Sequence, residues 1–166
     1  MIDESKLVKC SQCGDYHDIE KAEVSFSLPD EYFMLDEDEK NSRGKADSNF
    51  CQLDNRFFVR SVVPIPVLDR DDFYCWGAWS EVMKDDFKMI IDTWEDVDVS
   101  NYSAISADLA NEVPEYQNSI GLSGDLILKS ETRPFFYIKQ ESRFKSDQLS
   151  GITVEDIIRY YHYIRN

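Results

Sequence analysis

The chain has 166 residues, 42% of them hydrophobic and 13% aromatic, which supplies apolar material for one core and excludes wholesale disorder. Thirty-three acids against eighteen Lys and Arg leave a formal net charge of −15, a balance that repels phosphate backbones and anionic bilayers and so excludes nucleic acid and membrane as partners. No apolar run nears the ~20 residues of a membrane span, and the opening Met1-Ile2-Asp3-Glu4-Ser5-Lys6 lacks the apolar centre of a signal peptide, so a cytoplasmic protein is expected, with 1–166 as a single domain.

Leu7 to Lys9 reads as a short strand entering a tight turn at Cys10-Ser11-Gln12-Cys13-Gly14, a knuckle spanning about residues 7–20 in which Gly14 supplies the positive φ. Pro29 to Lys40 predicts a helix, with Pro29 in its first turn and Phe33 and Met34 facing inward. Asn49 to Leu53 and Arg56 to Val63 form a hairpin about Asp54-Asn55, since both residue types tolerate left-handed angles. On the second strand Phe57, Val59 and Ser61 share one face, and Phe58, Arg60 and Val62 the other. Pro64 and Pro66 have no amide donor, which places that strand's end at a sheet edge.

Phe73 to Trp79 is a third strand, dense in aromatics. A helix follows over Glu81 to Trp94, capped by Ser80, with Phe87, Ile90, Ile91 and Trp94 as its apolar stripe. Residues 96–119 carry no clear period. Leu126 to Leu128 and Pro134 to Ile138 are two further strands. Thr153 caps a last helix with Asp156 three residues on, and its stripe is Val154, Ile157, Ile158, Tyr161 and Ile164. Hairpins predominate, so the fold class is α+β: a mostly antiparallel sheet with two or three packed helices and an N-terminal Cys-x2-Cys knuckle.

Four cysteines occur in a chain expected to stay in a reducing compartment, where Cys-x2-Cys points to metal rather than to disulfides. Cys10 and Cys13 can place two thiolates on one tetrahedral zinc; His17 is the near candidate for a third ligand and Cys51 the distal candidate for a fourth. Cys75 competes with Cys51, but it lies beside Trp76 in an apolar strand and reads as core. The competing account is two ordinary small thiols, or a site that has lost its metal. A redox pair normally opens a helix, and no helical pattern begins after Gly14-Asp15. His162 lies off the stripe of the last helix, a solvated position, and there is neither a nucleophile elbow nor a Gly-rich phosphate loop. The run Asp36-Glu37-Asp38-Glu39 and the group Asp69, Asp71, Asp72 lack calcium-loop spacing and read as solvated faces. Trp76 and Trp79 point to opposite sides of their strand; both can be core, the commoner outcome in a protein of this size, or one lies at the surface as an interface anchor, Trp79 being the candidate because it is nearer the strand's end.

The blocks Cys10-Ser11-Gln12-Cys13-Gly14-Asp15-Tyr16-His17, Cys51-Gln52-Leu53-Asp54, Arg56-Phe57-Phe58-Val59-Arg60, Trp76-Gly77-Ala78-Trp79 and Gly151-Ile152-Thr153-Val154, with Pro114-Glu115-Tyr116 and Leu122 between them, resemble a bacterial domain of unknown function, number 2199 in its series. The pattern covers most of the chain. It departs at Ser61, where the family usually has Gly, and at Arg143-Phe144-Lys145, where it usually has a His-Pro segment. The resemblance implies a cytosolic bacterial origin and no particular activity. It favours the grouping Cys10, Cys13, His17, Cys51, because Cys75 lies outside the shared blocks.

Two functions compete. The first is a non-enzymatic binding protein, of the immunity-protein kind, that neutralises a basic toxin through Asp36, Glu37, Asp38, Glu39 and the tryptophans Trp76 and Trp79. The second is a small metal-dependent enzyme whose zinc keeps an open position for substrate.

Overall fold

The computed structural model describes residues 7–10, 13–18, 23–96 and 98–165, and side chains as far as Tyr160. Of the sequence expectations, Tyr161 and Ile164 in the last stripe, the solvated His162, and Ser11 and Gln12 of the knuckle lie outside the described side chains. The strands are β1 (Leu7–Lys9), β2 (Tyr16–Asp18), β3 (Gly44–Ala46), β4 (Phe50–Leu53), β5 (Arg56–Pro66), β6 (Phe73–Val82), β7 (Ile105–Leu109), β8 (Ser123–Ile127) and β9 (Phe135–Ile138). The helices are α1 (Asp30–Phe33), α2 (Glu37–Arg43), α3 (Lys84–Asp92), α4 (Arg143–Ser150) and α5 (Val154–Arg165). The α+β class holds, with five helices among the described residues where two or three are expected from the sequence.

The centre is the long hairpin of β5 and β6, paired from Phe57↔Val82 to Pro66↔Phe73. Antiparallel neighbours continue through β7, β8 and β9. Then β9 returns to β5 in parallel at Val62↔Phe135. The expected antiparallel sheet is therefore corrected to a five-stranded closed barrel of mixed direction, with β4 and β3 continuing outward from β5. Its interior is filled by alternate residues: Val59, Val63 and Ile65 from β5, Tyr74, Trp76 and Ala78 from β6, and Leu126 and Phe136 from β8 and β9. Ser61 shares that interior, donating to the Ala78 carbonyl at 2.7 Å and meeting the Ser80 hydroxyl at 2.8 Å. Gly124 lets β8 and β9 close, because a Cβ there would lie 2.2 Å from the Tyr137 carbonyl oxygen.

The parallel seam is short, and a side chain completes it. Beyond Val62 the β5 strand carries Pro64 and Pro66, which bring acceptors without donors. Buried Gln148 of α4 donates to the Pro64 and Phe136 carbonyls at 3.2 and 2.9 Å and accepts from Ile138 N–H at 2.8 Å. Ile152 N–H then donates to the Pro66 carbonyl at 2.9 Å. On the β9 side the prolines thus mark where strand pairing stops, and Gln148 of α4 and Ile152 of the link to α5 take over, while on the other side pairing to β6 runs on to Pro66↔Phe73, so the strand's end is an edge on one side only.

Several expectations about helices are corrected. The segment 29–40 folds as two short helices rather than one, because Asp36 caps a new start by accepting from Glu39 N–H at 2.8 Å. The break turns Phe33 and Met34 outward, 63% and 82% exposed, while Tyr32 takes the buried place. Ser80 is not the cap of α3: it belongs to β6, paired with Val59 and Leu109, and α3 starts after Met83. Phe87 and Ile90 face the core as expected, whereas Ile91 is 43% exposed. At α5 the Thr153 cap holds, with reciprocal bonds between Thr153 and Asp156 at 2.9–3.1 Å.

A second, smaller cluster lies outside the barrel wall, where Tyr32, Cys51, Leu53, Phe58, Trp79 and Ala110 pack together. Asn111 secures its cover. The Asn111 side chain accepts from Trp79 N–H at 2.7 Å and donates to the Leu28 carbonyl at 2.9 Å and the Asp30 carboxylate at 2.8 Å.

Candidate metal centre

β1 and β2 form an antiparallel hairpin in register Leu7↔Asp18, Val8↔His17 and Lys9↔Tyr16. The turn between them is closed by Cys10 N–H donating to the Asp15 carbonyl at 2.7 Å and Gly14 N–H donating to the Cys10 carbonyl at 2.9 Å. Gly14 takes φ +79°, the left-handed angle that a side chain resists. Val8 packs against the barrel core and so fixes the hairpin on the molecule.

This geometry gathers three ligand atoms. The sulfurs of Cys10 and Cys13 and a ring nitrogen of His17 all lie within 4.8 Å of one another, and Cys13 Sγ is 3.2 Å from His17 Nε2. Ligands on a tetrahedral zinc stand ~3.5–3.8 Å apart, given metal–sulfur and metal–nitrogen bonds of about 2.3 and 2.0 Å. The group can therefore hold a metal ion with little movement. Cys10 is buried, His17 half-buried and Cys13 exposed, so the group opens to solvent on the Cys13 side. At Cys13 the Asp15 backbone amide favours the thiolate, but desolvation and the adjacent Cys10 outweigh it and leave the thiol above its ordinary pKa. A metal must displace that proton.

Cys51, the expected fourth ligand, does not join the group. It is buried in the outer cluster with Tyr32 and Trp79, and burial there pushes its thiol up to about 12. Cys75 is half-buried, with its thiol raised by desolvation to about 11. Both stay protonated at neutral pH and are poor nucleophiles.

The family profile described as "Uncharacterized protein conserved in bacteria (DUF2199)" matches residues 9–152, which takes in the hairpin and the barrel. The chain belongs to this family. No curated protein and no solved structure matches it. The family's matched span begins one residue before Cys10 and so contains all three ligands.

The other sequence-predicted site residues fall into two sets. Trp76 and Trp79 do point to opposite faces, but both have no exposed surface, so neither is a surface anchor. Trp76 fills the barrel; Trp79 fills the outer cluster, its indole N–H donating to the Phe26 carbonyl at 3.0 Å. The strand's outer face is covered by a segment far away in sequence, which the aromatic run itself does not signal. Asp36, Glu37, Asp38 and Glu39 are exposed on and before α2. Beside them stand Phe33 and Met34, missed as surface residues because a helix of single period was expected to turn them inward.

A cleft of about 690 Å³ lies elsewhere, between the loop at Pro114–Asn118 and the helices α4 and α5. Its wall is organised by Glu115, a side chain 7% exposed that binds Arg143 at 3.1 Å and Arg159 at 2.5 Å. Tyr116 stacks on Phe144 at 4.0 Å and donates to Asp147 at 2.6 Å. Within residues 96–119 the only sequence cue to this wall is Pro114-Glu115-Tyr116. No helix among the described residues is long and apolar enough to cross a membrane.

Proposed function

We propose that this protein is a zinc-carrying, non-enzymatic binding protein that captures a basic partner protein, of the toxin class, through the α1–α2 edge. The observation that supports this most is the pairing of exposed Phe33 and Met34 with the exposed acids Asp36, Glu37, Asp38 and Glu39. An apolar centre beside a charged rim is how stable interfaces divide their labour: the centre slows dissociation and the charge speeds encounter. The net charge of −15 extends the attraction over the whole surface. Zinc on Cys10, Cys13 and His17 is the fitting ion for a thiolate and imidazole set. The test is capture of a basic protein from the source cells, then kinetics with the purified partner. Raising salt should slow association, and F33A/M34A should raise the dissociation rate by ~10-fold or more. Association indifferent to salt and a dissociation rate unmoved by F33A/M34A would refute it.

One observation favours the second reading, a metal-dependent enzyme. The described residues bring three ligands together, not four, and three protein ligands with a water in the fourth position is the pattern of catalytic zinc. Hydrolysis that requires zinc and disappears in Cys13→Ser would decide for this reading.

A further inference from the structure

Two arginines stand apart from the ion pairs that occupy most others. β5 and β9 run parallel with Val62 beside Phe135, and two residues upstream of that pair Arg60 on β5 and Arg133 in the segment leading into β9 come close enough for one charge to act on the other. Both head groups converge on one turn. Arg60 donates to the Ser48 carbonyl at 3.2 Å and to the Ser25 hydroxyl at 3.0 Å, and Arg133 donates to the Asn49 side-chain carbonyl at 3.3 Å. Every one of these acceptors is neutral. Among the described residues no carboxylate pairs with either guanidinium, although acids outnumber Lys and Arg by 33 to 18. Glu131, two residues before Arg133, makes no ion pair with it, and Asp47, which adjoins the turn, spends its Oδ1 on the N–H groups of Asn49 and Phe50, at 2.8 Å each.

This arrangement is costly by itself. Two like charges are held together and half-buried, and Arg60 Nε is a buried donor with no partner. Desolvation, and then the neighbouring Arg133 charge, lower the Arg60 pKa. Elsewhere in the chain the same side chain is neutralised: Arg56 by Glu81, Arg43 by Asp54 and Arg159 by Glu115. A dianion between Arg60 and Arg133 would supply the missing counter-charge and the acceptors. Guanidinium forks match oxyanions in shape, and a phosphate group carries about −1.5 to −2 at neutral pH.

We propose that Arg60 and Arg133, with the Ser25 hydroxyl and the Ser48–Asn49 turn, form a binding site for a phosphate group, borne either by free phosphate or by a small phosphomonoester. The overall negative charge repels anions from the rest of the surface, which makes a local pair of cations selective for ligands that can fit both.

The test is calorimetric titration of the full-length protein at constant ionic strength with inorganic phosphate, glycerol 1-phosphate, acetate and chloride in separate arms. Saturable binding of one phosphate per chain is expected, with none from chloride. Tighter binding of glycerol 1-phosphate would assign the site to phosphomonoesters, and tighter binding of inorganic phosphate to the free ion. Arg133 is half-buried at a strand end, and R133Q should keep the wild-type near-ultraviolet dichroism while losing about ten- to a hundredfold in affinity, the loss of charged hydrogen bonds. R143Q, in the distant cleft, should bind as wild type. Absence of saturable binding, equal binding of acetate, an unchanged affinity in R133Q, or an equal loss in R143Q would each overturn the proposal.

Discussion

The β1–β2 hairpin and the barrel are built on opposite principles. The barrel encloses large apolar side chains from all five of its strands, and its residues hold each other in place. The hairpin pairs three residues with three, and of its ligands only Cys10 is buried. A two-stranded ribbon of that size has no core of its own and is marginal in water. What orders it is the anchor of Val8 on the barrel and, when a metal binds, the bonds to Cys10, Cys13 and His17. Global stability therefore belongs to one region and the candidate metal site to the other.

The sharpest test of this division is Trp76→Ala, which empties the middle of the barrel and should cost about 3–5 kcal/mol, read as a lower denaturation midpoint. Cys13→Ser should abolish metal binding and leave that midpoint almost in place; a large fall would show that the hairpin carries the fold after all. Next in size is the pair on α3. Ile90→Ala should cost ~2–5 kcal/mol, whereas Ile91→Ala, at a half-exposed site, should cost under ~1 kcal/mol. Chemical denaturation of both variants checks it.

Metal affinity supplies a prediction that touches the hairpin alone. The Cys13 pKa lies above its ordinary value, so over neutral pH the thiol is protonated without metal. Binding then releases protons, and affinity should fall as pH falls, by up to about a hundredfold per pH unit if both thiols give up a proton. Competition with a chromophoric chelator between pH 6 and 8 measures the slope; a flat profile would mean that the thiols are not the ligands. The smallest effect is expected at Thr153→Ala, which removes the cap of α5 and should cost ~1 kcal/mol, measurable as a modest shift in the same midpoint.

The contrast also explains what the sequence revealed. Several local features, though not the Asp36 cap that divides α1 from α2, were legible because neighbours in the chain decide the outcome. Asp54, at φ +53°, makes the turn between β4 and β5, Thr153 and Asp156 make their capping box, and the Cys-x2-Cys knuckle with His17 brings its own ligands together. The features that were not legible depend on distant partners. Barrel closure rests on Val62 meeting Phe135 and on Gln148 from α4, neither of which leaves a periodic trace. Trp79 is buried because Phe26, Leu28, Tyr32 and Ala110 pack over its face, and Cys51 is held away from the candidate metal site in the same cluster. The strand β7 and the loop after it lie in a stretch whose order comes from Asn111, Ser119 and Glu112. There Ser119 accepts from Val113 N–H at 2.7 Å and donates to Glu112 at 2.9 Å. Such polar stitching resembles an ordinary loop until the fold supplies the partners.

Glu115 carries a last consequence. One carboxylate holds Arg143 at the head of α4 and Arg159 in the middle of α5, so two segments that adjoin in sequence share a single latch on a third. Neither helix can swing away without releasing a charge that its neighbour also uses. In amide exchange the two helices should open as one unit, with a common opening free energy, and in Glu115→Gln they should part company and exchange at separate rates. The segment from α4 to α5 then behaves as one unit that is released whole, and a protease that cuts after α4 has to wait for α5.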